Sequence, residues 1–241
     1  MKKELLCEAL GVRDISVIAI VGGGGKSSLM AALGREYHRL GIPTLMTTTT
    51  HIRMPENALY TGEDPAVLGD LLSHYGVMTV GMPIEDHRLG QSPLLEQLPH
   101  IASRVVIEAD GTRSLPLKVP NEREPVIPDI ADAVVAVAGL SALGHPLGEV
   151  CHRPELAQKE FHLAPHTIVT PEIMAQLLCS PLAQRKNVGE RPYAVLLNQA
   201  DTVPREAALQ VANLILDYGV PRVVTAALQA APNDYFCIRG C

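Results

Sequence analysis

The sequence predicts an α/β fold, a mostly parallel sheet with helices on both faces. Three observations carry that expectation. Continuous apolar runs rich in β-branched residues recur along the chain, at 16–21, 104–107 and 193–197 among others, and such runs suit strands buried on both sides. Stretches with helical spacing of apolar residues alternate with them, the order that builds parallel βαβ units. Glycine or polar clusters follow the runs at once, where the carboxyl ends of parallel strands offer ligands a crevice.

In chain order, residues 1–10 have the pattern of a short amphipathic helix, and residues 16–21 form the first strand. Leu29, Leu33, Tyr37 and Leu40 then share one face of a helix that Gly41 ends. Residues 43–50 read as a second strand and 51–63 as a loop. Asp64 and Pro65 are the N-cap and first residue of a helix closed by Gly76. Residues 77–80 are a short strand, 94–98 a short helix, and 104–108 a buried strand running straight into Ala109-Asp110-Gly111. The proline-rich stretch 115–128 reads as an ordered loop over the sheet's edge. A strand at 132–138 and a loop at 139–153 follow. Thr170 and Pro171 cap a helix that reaches about Leu178. Residues 193–197 are a strand, 204–218 a helix with Ala207, Val211, Leu214 and Ile215 inward, and 222–225 the last strand.

Composition narrows the function classes. With 241 residues and 47% apolar content, the chain has core material for one large domain, so residues 1–241 read as a single unit. A net charge of −6 without any Lys/Arg run argues against nucleic acid as a partner. Glu4 and Glu8 interrupt any signal-peptide core, and no stretch approaches the ~18 apolar residues of a membrane span. Five cysteines without CxxC spacing suit a reducing compartment, so a cytoplasmic protein away from membranes is expected. His145, Cys151 and His152 match no zinc framework.

The chemistry concentrates in three places. Residues 22–27 read Gly-Gly-Gly-Gly-Lys-Ser between a strand and a helix. Gly22, Gly23, Gly24 and Gly25 let backbone N–H groups turn toward an anion, and the helix N-terminus, with Ser28 in its first turn, adds positive potential. Lys26 adds a full charge, and Ser27 can reach Mg²⁺. This is a P-loop NTPase-like arrangement, although the usual pattern opens with glycine where this chain has Ile20. Second, Glu108 ends its strand as Glu-x-x-Gly and is placed to hold the metal, with Thr50 at the tip of the second strand as a further metal candidate. Lys26 and Asp110 are the catalytic candidates. Third, Asn198-Gln199-Ala200-Asp201 resembles the Asn-Lys-x-Asp sequence by which GTPases recognise guanine, with Gln199 in the lysine's place. Asn198 and Asp201 are expected at the base. Thr225, one strand later, opens Thr225-Ala226-Ala227 where GTPases put a base-contacting loop. Mg²⁺ with GTP, or ATP, is the expected ligand.

These motifs, together with residues 47–50, Leu117-Lys118-Val119-Pro120 and 124–128, resemble the YqeC-like proteins over nearly the whole chain. That resemblance implies a P-loop NTPase fold and a role in making or inserting the selenium-containing cofactor of molybdenum hydroxylases. A client hydroxylase, or its cofactor machinery, is then the implied partner. A slow GTPase acting as a maturation factor is the first expectation, with Lys118 and Glu124 sensing nucleotide state or facing the client. A small-molecule kinase using Asp110 or His51 near an acceptor, and a non-hydrolysing nucleotide-dependent partner protein, are the rivals.

Overall fold

The computed structural model describes residues 4–111 and 114–239, the side chains of 232–234 excepted. Nine strands form one sheet: β1 (Val17–Gly22), β2 (Thr44–Thr48), β3 (Leu59–Tyr60), β4 (Val77–Val80), β5 (Arg104–Glu108), β6 (Ala133–Gly139), β7 (Tyr193–Asn198), β8 (Arg222–Ala227) and β9 (Ala231–Arg239). Their order is β9-β8-β7-β6-β1-β5-β2-β4-β3. Every neighbouring pair is parallel except β8–β9, which is antiparallel. The mostly parallel α/β sheet read from the sequence is therefore what the chain forms.

The four main helices are α1 (Lys26–Arg39), α2 (Pro65–Tyr75), α3 (Pro171–Cys179) and α4 (Arg205–Asp217). Alternation within each strand feeds two cores. Val17, Ala19 and Val21 of β1 join one with Leu68 of α2, Met174 of α3 and Val211 of α4. Ile18 and Ile20 point the other way, against Leu29, Leu33 and Tyr37 of α1. Both faces being covered is the reason the strands read as unbroken apolar runs. The capping signals also act as read. Asp64 accepts from the Ala66 amide at 2.8 Å, and Gly76 closes α2 at φ +72°.

Several local expectations need correction. The N-terminal helix is a single turn, Leu6–Ala9, with residues 1–3 outside the described ones. Its amides at Leu6 and Cys7 are met by the Glu36 carboxylate at 2.8 and 2.7 Å. The inward stripe of α4 is Ala208, Val211, Ala212 and Ile215, so Ala207 and Leu214 are only half-buried at its margin. The sheet does not end at β8. β9 adds an antiparallel edge, and the loop read at 51–63 contains β3 and a short strand, His51–Arg53. His51–Arg53 pairs with Arg88–Gly90 and, through it, with Met82–Ile84 in a separate three-stranded sheet.

The largest correction concerns residues 115–128. Rather than skirting an edge, this segment crosses the carboxyl ends of the central strands. The Leu115 carbonyl accepts from Gly24 at 3.0 Å and the Pro116 carbonyl from Gly139 at 2.9 Å. Leu117–Lys118 then pairs in parallel with Cys151–His152. Residues 117–120 are buried because the segment roofs the middle of the sheet, while Glu122, Arg123 and Val126 on its outer side are exposed.

Candidate functional site

A cleft of about 710 Å³ opens where the carboxyl ends of β1, β5, β6, β7 and β8 converge. The chain runs from β1 outward to β2 and the edge strand β3, returns through β4 to β5, then crosses β1 to reach β6, so the cleft lies beside the point where the winding reverses. Crevices of this kind are where open α/β sheets take ligands. One end is built by the glycine loop and the first turn of α1, with Glu108. The other is built by Asn198, Gln199 and Asp201 and by the loop 227–230 after β8. Residues far apart in sequence thus share one cavity.

The glycine loop is a tight fit on its neighbours. A Cβ on Gly24, at φ +69°, would lie 2.2 Å from the Gly139 amide nitrogen, and one on Gly25, at φ +133°, 2.2 Å from Asn198 Nδ2. Not all four glycine amides face the cleft, however. Gly22 N–H goes to Asp110 Oδ2 at 2.9 Å, Gly23 N–H to the Val137 carbonyl at 2.9 Å, and Gly24 N–H to Leu115. The cleft is lined from Gly24 onward, so Gly22 and Gly23 shape the loop and leave its anion face to residues 25–28. Intrahelical bonding begins with Leu29 N–H to the Gly25 carbonyl, so the amides of Lys26, Ser27 and Ser28 belong to the unsatisfied first turn.

Lys26 is 3% exposed and its Nζ donates to the Gly22 carbonyl at 2.8 Å. It lies 3.1 Å from Asp110 Oδ1 and 3.6 Å from Glu108 Oε1. Ser27 Oγ donates to Glu108 Oε2 at 3.1 Å. Burial pushes the Glu108 carboxyl above its usual range, against the pull of Lys26 and Ser27. A hydroxyl and a carboxylate side by side at the anion end are oxygen donors of the type Mg²⁺ takes alongside phosphate oxygens, so these two residues fit that ion. Among the described residues no group of three or more His, Cys, Asp or Glu side chains could hold a metal by itself.

Asp110 stands behind the cleft rather than in its lining. It is fully buried, does not line the cleft, and is held between Lys26 and Lys118, the latter 3.3 Å away, while it anchors Gly22. It lies beyond the strand end, where the chain turns beneath the glycine loop. Lys118 in turn meets Glu124 at 2.9 Å, and Glu124 pairs with Arg153. A line of alternating charges, Lys26–Asp110–Lys118–Glu124–Arg153, therefore runs from the cleft through the buried segment. Burial raises the Glu124 carboxyl, but hydrogen bonds from Arg153 and Lys118 outweigh this and hold it below the usual range.

At the far end Asn198 ties the loops together. Its Nδ2 donates to the Gly24 carbonyl at 2.8 Å and its Oδ1 accepts from the Leu228 amide at 3.0 Å. Asp201 is exposed at the cleft wall. Gln199, at φ +61°, accepts from Ser141 Oγ at 2.6 Å and covers Gly139, so it forms the floor between the two ends. Thr225 is not brought to this cleft. It is fully buried, with its hydroxyl 3.5 Å from the Phe236 carbonyl, and the lining residues of that loop are 227–230. Thr50 also stays outside the lining, its hydroxyl 3.3 Å from that of Thr48. Ser114, Ser141 and Gln229 line the cleft unforeseen. Ser141 follows the end of β6 as Asp110 follows β5, and strand-end position was the one sequence signal that could have found it.

The YqeC family model, described as "YqeC protein", matches residues 18–155, more than half of the chain. The chain belongs to the YqeC family. The protein named YqeC in Escherichia coli (strain K12) is 34% identical over 172 residues, covering 67% of this chain and 64% of that protein. The YqeC match takes in the glycine loop, Glu108, Asp110 and the whole line of charges to Arg153, while Asn198 and Asp201 lie beyond it.

Cys151, in the only Cys/His concentration, is buried, and burial pushes its thiol up to about 12; Cys179 is raised likewise to about 12. Thiols in that state are neutral at physiological pH and poor metal ligands or nucleophiles. Iodoacetamide at pH 8 is therefore expected to label Cys151 and Cys179 only after denaturation, as read by peptide mass spectrometry. Labelling of either in the folded protein would contradict this assignment. No helix among the described residues is long and apolar enough to cross a membrane.

Proposed function

We propose that the chain is a Mg²⁺-dependent P-loop nucleotide-binding protein with slow GTPase turnover, serving maturation of the selenium-containing molybdenum hydroxylase cofactor. One observation carries the nucleotide reading. A single cleft joins the open first turn of α1, Lys26 and the Ser27–Glu108 pair at one end to Asp201 and the loop 227–230 at the other. Its volume of about 710 Å³ lies within the range of small-molecule sites, about 300–1,000 Å³.

In this reading the amides of Lys26, Ser27 and Ser28 and the Lys26 ammonium take the phosphates, Ser27 and Glu108 take the metal, and Asp201 accepts from the base. Mg²⁺ would neutralise charge developing on the phosphate oxygens. Asn198 positions both loops without needing to touch the base. Turnover is slow because, among the described residues, no side chain in the cleft is set as a general base, leaving positioning and charge stabilisation to act. The maturation role and its client follow from what the motif resemblance to YqeC-like proteins implies. Lys118 and Glu124 then carry the state of Lys26 toward the surface at Arg153.

Isothermal titration with Mg–GTP and Mg–ATP tests the reading. GTP is expected to bind at least about tenfold more tightly, because guanine offers two N–H donors to the Asp201 carboxylate and hydrogen bonds to charged groups contribute about 1.5–3 kcal/mol. Asp201→Asn should lose that preference and gain affinity for xanthosine triphosphate, whose 2-carbonyl accepts from the new amide. Failure of both nucleotides to bind would sink the proposal. Equal GTP and ATP affinities, unchanged by Asp201→Asn, would remove the guanine assignment alone.

A further inference from the structure

Ser27 and Glu108 are a partition with a cavity on each side. The second cavity, about 140 Å³, extends from them toward β2 and β4 and shares only these two residues with the cleft. It holds the space of on the order of five waters, so its occupant is a molecule of a few carbons. Its body is apolar, made by Met30, Met46, Ile52 and Pro55. Two methionines give it a soft, adaptable wall.

Two further lining groups are polar. Arg53 is exposed and makes no ion pair or hydrogen bond among the described residues. Thr79, 5% exposed, adds a hydroxyl-bearing side chain to the same wall. At the partition, the Glu108 carboxylate accepts from Ser27 at Oε2 and faces Lys26 at 3.6 Å through Oε1, and a carboxylate has acceptor sites beyond these two. A cation, a small apolar chamber and a carboxylate acceptor define the complementary ligand.

We propose that this cavity binds a small aliphatic hydroxy acid. Its carboxylate pairs with Arg53, its carbon skeleton packs on Met30 and Met46, and its hydroxyl donates at the Glu108 end. A neutral alcohol would leave Arg53 unpaired, and a simple fatty acid would set only carbon against the Glu108 carboxylate. The acid would adjoin the terminal phosphate across Ser27 and Glu108. That adjacency rests on the nucleotide reading, whereas the binding itself does not.

The test uses the full chain carrying ¹³C-methyl methionine, with Met30 and Met46 assigned through Met30→Leu and Met46→Leu. The probe is 3-hydroxy-3-methylbutyrate. Its comparators are 3-methylbutyrate, which lacks the hydroxyl, and 3-methylbutane-1,3-diol, which lacks the charge. The probe is expected to shift both methyl signals saturably without nucleotide, and both comparators should bind about tenfold more weakly or worse. Arg53→Gln should weaken the probe by a similar factor. Ala31→Leu, at an exposed position on the cavity wall, should block it, and both variants should keep the Mg–GTP affinity of the parent. If neither methionine shifts, or the diol binds as well as the acid and Arg53→Gln changes nothing, the proposal is overturned. Acid binding without GTP binding would remove only the nucleotide reading, and GTP binding without acid binding only this one.

Discussion

Lys26→Ala is expected to reduce Mg–GTP affinity by on the order of 100-fold or more, about 2.7 kcal/mol, through loss of a charge-assisted contact to the phosphates. The geometry gives this variant a second signature. Nζ contacts the Gly22 carbonyl, Asp110 and Glu108, so a phosphate must compete with three partners for the lysine. Removing it leaves Glu108 facing Asp110 with only Ser27 in support. Lys26 is what most opposes the rise of the Glu108 carboxyl, so in the variant that carboxyl rises further and takes up a proton more readily. Calorimetry should therefore show lost binding while circular dichroism shows a folded chain. A GTP affinity within threefold of the parent would refute the assignment of Lys26 to the phosphates.

The second large effect is expected away from the cleft. Lys118→Met should destabilise the fold by about 2–4 kcal/mol, because removing the middle member of a buried ion-pair set leaves Asp110 with Lys26 alone and Glu124 with Arg153 alone. Lys118 is 1% exposed and sits between Asp110 and Glu124, so a methionine of similar length fills the space but neutralises neither. Thermal and urea unfolding measure the loss. Adding Asp110→Asn should recover part of it, a coupling that a double-mutant cycle reads directly.

The pH dependence has a definite sign. Glu124 has a depressed carboxyl pKa, so its stabilisation is present above its unfolded value and lost as pH falls through its lower folded value. The gap between parent and Lys118→Met should accordingly narrow in acid. A loss under about 1 kcal/mol at neutral pH, or a gap that widens in acid, would show that the line of charges does not act as described.

Much of this was legible in sequence because the signals were local. An apolar run needs only its own residues to declare a strand covered on two faces, and Asp64, Gly41 and Gly76 announce helix ends by their own side chains or their lack of one. The glycine loop, Glu108 and Asn198–Asp201 each stood at a strand end, and in a parallel sheet strand ends meet. Where partners came from elsewhere, reading failed. Asp110 looked like a second acid at the site, yet its role depends on Gly22 and Lys118, which only folding brings to it. Thr225 looked like a base-side residue, but β9 folds back over it and claims its hydroxyl.

The sequence alone, then, determined seven of the nine strands of the main sheet, the main helices and three chemically matched clusters, since periodicity, caps and strand-end position are properties of neighbouring residues. Only the tertiary structure decided which glycine amides face the cleft, that residues 115–128 roof the sheet's centre, and that Lys26 is the first in a buried line of charges. Those depend on the order β8-β7-β6-β1-β5-β2 across the sheet. Strand order is fixed by packing two cores at once, and no stretch of neighbouring residues contains it.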